Sequence, residues 1–170
     1  MGLFFNRAKS QSELRSKAGK LVQYAHLNAI GSALPFLDEF PAARKVDPAD
    51  WNFFVTIAAV FIGASRLTAL KLSTTAEEEL MEIVVQCLTQ WDNRALAAYD
   101  DCKGCFEYVF DQYEGRGVYK GSGAKNLASD ALGSWLMWNL FKQAPNDNEL
   151  ALQWALGAMT INAVFNWWSD

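Results

Sequence analysis

The sequence predicts an all-α protein, a single-domain bundle of five or six main helices. Three observations predict it. Apolar residues recur at helical spacing along most of the chain. The periodic stretches open on capping residues and close at Pro or Gly. No β-branched alternating run and no Asn-Gly hairpin turn competes with them. At 170 residues, 51% hydrophobic and 20% charged, the chain can bury one substantial core and is short for two. Residues 1–9 read as a basic, apolar tail and 10–170 as the domain.

The first helix opens on Ser10-Gln11-Ser12-Glu13, the S-x-x-E form of a capping box. Leu14, Ala18, Leu21, Val22, Ala25, Ala29 and Ala33 then make a 3.6-residue stripe, and Pro35 is expected to end it. A short helix, Phe36 to Arg44, is broken by Pro41. Asp47-Pro48 starts the second main helix, with Asp as cap and Pro at the first helical position. Its apolar residues cover more than one face, which marks a central helix.

Thr74-Thr75-Ala76-Glu77 starts the third, with Leu80, Ile83, Val84, Cys87, Leu88 and Trp91 as its inner stripe. Asp92-Asn93 breaks the chain before a fourth helix, Arg94–Glu114, which Gly115 ends. After a glycine-rich loop, a fifth helix runs from about Ala124 to Gln143. Asn146–Glu149 caps the last one, which continues to the chain end.

Charge is segregated along this scaffold. Residues 73–114 hold ten carboxylates against Arg94 and Lys103, while the first twenty residues hold five cations against Glu13. On the fourth helix, Asp100, Glu107, Asp111 and Glu114 fall within about 60° of each other. Like charges so stacked repel by a few tenths of a kcal/mol per pair. A solvated face is the plain explanation, and a cationic partner is the functional one. These four residues are the expected partner-binding face.

Five of the seven Trp follow residue 134, and Ser134–Phe141 is apolar on nearly every face. A core role competes here with an oligomer or partner seam made by Trp135, Trp138, Trp167 and Trp168. Arg116, Lys120 and Lys125 gather where the fifth helix starts, an arrangement suited to an anion. The loop has no Gly-Lys-Ser/Thr ending, so a nucleotide is not expected.

No catalytic set is visible. The single histidine, His26, flanks the first stripe and reads as a packed residue; one His excludes paired Glu-x-x-His metal sites. Cys102 and Cys105 have redox spacing but lie within a helix, with no strand before them. They read as small hydrophobes. Asp100-Asp101 lacks the third carboxylate, one turn on, that a magnesium pair would want, since position 104 is Gly. No metal and no cofactor is expected.

Three cysteines, with no basic region before the apolar Met1–Phe5, indicate a reducing, cytoplasmic setting. Trp51–Ser65 is too short to span a bilayer, and Leu150–Trp168 is diluted by Ala, Gly, Asn and Gln. The leading expectation is a non-enzymatic interaction module that offers an acidic helix face to a basic protein. An inhibitor, an immunity-type protein and an adaptor fit that description. A homodimer is the other association considered, and no nucleic acid is expected. The second reading is a membrane-surface or apolar-ligand protein, using its basic N-terminal end and an aromatic-lined core.

Overall fold

The computed structural model describes residues 11–70, 72–114, 123–143 and 149–169; for 113–114 and 123–126 it describes the backbone alone. The fold is an all-α bundle, with six α-helices among the described residues. They are α1 (Gln11–Glu39), α2 (Pro48–Thr68), α3 (Thr74–Trp91), α4 (Ala95–Glu114), α5 (Gly123–Phe141) and α6 (Leu150–Ser169). A 3₁₀ turn, Pro41–Lys45, joins α1 to α2.

The chain writes most of these boundaries locally. Asp47 caps α2, its side chain accepting from Ala49 N at 2.7 Å. Ser73, rather than Thr74, caps α3 by accepting from Ala76 N. Asp92 turns the chain into α4: its carboxylate accepts from Arg94 N and its carbonyl from Ala95 N. Arg94 also grips this carboxylate from its side chain, which holds the Asp92 carboxyl below the usual range. The capping box at Ser10 lies outside the described residues.

Two ends differ from expectation. α1 does not stop at Pro35 but runs through it to Glu39. Pro35 lacks the N–H that would reach back one turn to the Gly31 carbonyl, and its ring lies exposed. What draws the helix onward is burial: Phe36 is only 6% exposed, with ring centroids 4.8 Å from Phe40 and 5.2 Å from Trp51. α5 stops at Phe141 rather than Gln143. Lys142 takes the left-handed conformation, φ 57°, and donates its N–H to Trp138 O.

α2 is the axis of the bundle and touches all five other α-helices. Val55 to Ala64 is buried without interruption, so α2 has no solvent face over that stretch. Among the described residues it is the one helix long and apolar enough to cross a membrane, and 72% of that stretch is buried inside the bundle. α1 lies antiparallel to it: Trp51 Nε1 donates to Ala29 O at 2.9 Å, and Leu21 packs against Gly63. The expected α1 stripe is the buried one, Leu14 through Ala29, with Ala33 at its edge.

α5 and α6 cross antiparallel at very short range. A β-carbon on Gly133 would lie 2.0 Å from Gln153 O, and one on Gly157 would lie 1.9 Å from Ser129 O. Each glycine lets the other helix's backbone occupy the space of a side chain.

Candidate functional site

The exterior of α4 carries the expected acidic face. Asp100, Glu107 and Asp111 are all exposed, and the Glu114 side chain lies outside the described residues. The inner side of the same helix explains this orientation. Ala95, Tyr99 and Cys102 are buried, and Phe61 of α2 meets Tyr99 and Phe106 edge-on. Burial pushes the Tyr99 hydroxyl up to about 12. With that stripe fixed inward, the carboxylates must face water.

Lys103 is the one cation on the exposed face of α4 past its first turn. It stands 3.8 Å from Glu107, both side chains more than half exposed. Asp100 and Asp111 have no ion pair among the described residues.

Asp101 differs from its neighbour. It too is exposed, but its Oδ2 accepts from the buried indole Nε1 of Trp135 at 2.8 Å. It therefore anchors α4 to α5, a link between distant residues that no local spacing announces.

Sequence reading missed an aromatic residue on the flank of this face, about 60° around the helix from Asp111. Tyr108 is 66% exposed. It follows Gly104 by one turn and precedes Asp111 by one turn. A β-carbon on Gly104 would meet nothing within 4 Å, so the surface beside the ring is flat and open.

The expected tryptophan seam is corrected by burial. Trp135 is 3% exposed and Trp168 6%, both within the core of this one chain. Trp167 is half-buried and stacks on Tyr24 of α1 at 4.6 Å. Lys17 donates to Trp167 O at 2.7 Å, capping an orphan carbonyl in the last turn of α6. Of the four, only Trp138 faces outward, at 59%. The anion cluster of Arg116, Lys120 and Lys125 lies outside the described residues and side chains.

His26 is half-buried between Trp91, 5.3 Å away, and Thr56, whose Oγ1 is 3.4 Å from Nδ1. Among the described residues no group of three or more His, Cys, Asp or Glu is placed to hold a metal ion. The three cysteines are free thiols. Burial pushes the Cys102 thiol well above its ordinary value, with Cys105 and Asp101 adding to the shift, and Cys105 moves the same way. Both thiols thus resist forming the nucleophilic thiolate. Cys102→Ala is expected to lose about 1–3 kcal/mol of stability through the cavity it leaves. Cys102 in the native protein should react with an aromatic disulfide reagent only as fast as the protein opens; immediate stoichiometric reaction would contradict its burial.

The chain matches no protein-family model, no curated protein and no solved structure.

Proposed function

We propose that this is a non-enzymatic interaction module whose α4 face receives a cationic segment of a partner protein, as an inhibitor, immunity-type or adaptor protein would. One observation carries the reading: Tyr108 stands exposed beside the open surface at Gly104, among Asp100 and Asp111, whose charges no described cation offsets. An exposed ring amid carboxylates suits arginine. Its guanidinium can stack on the ring while its fork engages a carboxylate. Aromatic residues and arginine also dominate the energetics of interface centres. A lysine offers a point charge and forms the stack less well.

The test uses a labelled arginine-rich peptide and a lysine-rich peptide of equal charge. The arginine peptide should bind more tightly, and added salt should weaken both, since the Debye length falls from about 10 Å at 0.1 M to about 3 Å at 1 M. Asp100→Lys, Glu107→Lys and Asp111→Lys together should reduce binding more than tenfold, and Tyr108→Ala alone should remove the preference for arginine. The triple variant should keep its stability within about 1 kcal/mol, because exposed charges contribute little singly. Asp101 is left intact because Trp135 depends on it. Undiminished affinity in the triple variant would place the interface elsewhere.

A further inference from the structure

A groove of about 360 Å³ opens where the C-terminal end of α2 meets α5 and α6. Its walls are apolar: Ile62 and Ala69 from α2 and its C-terminal turn, Ala128 from α5, Ile161 and Phe165 from α6. Ser65 also borders it, but its hydroxyl donates to Phe61 O at 2.9 Å. The remaining polar group is Arg66.

Arg66 is unusually placed for a cation. Its guanidinium lies 4.2 Å over the Phe165 ring and 5.7 Å from that of Trp168. No carboxylate reaches it within ion-pair distance among the described residues. No residue of α6 is charged, and α2 holds no charge between Asp50 and Arg66. Partial burial lowers the Arg66 pKa. A partly desolvated guanidinium with no ion-pair partner among the described residues, at the edge of an apolar trough, is complementary to one anionic group that carries an apolar body. The volume lies within the ordinary range for small-molecule sites, about 300–1,000 Å³.

We infer that this groove binds a single-chain amphiphile with one anionic head, the chain lying along Ile62, Ala128 and Ile161 and the head meeting Arg66. The inference is independent of the α4 reading, because none of its residues lies on that face.

Decanoate is the probe, followed by Trp168 fluorescence and by calorimetry, with decanol and decylamine as controls. Wild-type protein should bind decanoate saturably and at least tenfold more tightly than decanol, with decylamine weakest. Arg66→Gln should bring decanoate down to the decanol level and leave decanol unchanged. Ala69→Phe, at an exposed rim position outside the core, should block the groove and abolish binding of both. Should Arg66→Gln fail to fold, the rim variant and the head-group series still decide. Equal binding by wild type and Ala69→Phe, or decylamine binding as well as decanoate, overturns the inference. Wild-type protein that ignores decanoate overturns it too, and leaves the groove to a protein partner.

Discussion

Gly157→Ala is expected to lower stability by about 3 kcal/mol, the upper end of the usual range for overpacking, while the same exchange at Gly104 raises it. Helix propensity alone favours Ala over Gly by about 1 kcal/mol at both positions. Surroundings decide the sign. At Gly104 the new methyl group meets nothing within 4 Å, so the propensity gain stands. At Gly157 it would lie 1.9 Å from a backbone carbonyl of α5, which cannot rotate away as a side chain can. The helices must separate, and every contact along their shared face loosens.

Gly133→Ala should act alike, because its methyl would lie 2.0 Å from Gln153 O. The two effects should not add. Once one substitution has pushed the helices apart, the other finds its space already open. Urea unfolding of the two single variants and the double checks this. Losses below about 1 kcal/mol for both singles, or strict additivity, would show that α5 and α6 do not cross as closely as described.

That crossing shows where sequence reading stopped. Local signals placed the helices well. Asp47-Pro48 fixed the start of α2, and the Leu14–Ala29 spacing named the buried side of α1. Each of those features acts within one or two turns. Gly133 and Gly157 carry meaning only because residues twenty or more apart in sequence come within a bond length or two of the same space.

The cover of the tryptophans is non-local in the same way. Composition says that a Trp wants burial, but not against what. Trp168 finds its cover in the core and Arg66, while Trp138 stays more than half exposed. The outward face of α4 was legible, since its charges and its inner stripe alternate at helical spacing. Tyr108 lies between the two stripes, where spacing alone does not decide whether an aromatic is covered, and the structure leaves it 66% exposed. The groove beside Arg66 draws on three helices spanning a hundred residues, and no local motif announces it.

Pro35 marks the sharpest departure from expectation, and it yields a second pair of large effects. Proline within a helix is about 3 kcal/mol less favourable than alanine. α1 nevertheless continues beyond it, because Phe36 and Phe40 gain cover there and Trp51 closes over Phe36. Trp51 is 2% exposed and is tied to α1 by its indole N–H. Trp51→Ala should therefore lower stability by about 4 kcal/mol, the range for deleting a large buried aromatic. Trp51→Phe, which keeps a ring but loses the donor, should lose only about 1–2 kcal/mol. In the Ala variant the amides just past Pro35 should be the first to lose protection in hydrogen exchange, Phe40 N–H to Phe36 O among them.

Pro35→Ala should act in the opposite direction. It restores the missing backbone hydrogen bond in a helix that already exists, and should raise stability by about 2 kcal/mol after allowance for the freer unfolded chain. If α1 instead ended at Pro35, that exchange would leave stability unchanged or lower it. Trp51→Ala would then leave protection at residues 36–40 as weak as in the wild type. The two variants together thus separate a helix carried through its proline by aromatic packing from one that stops there.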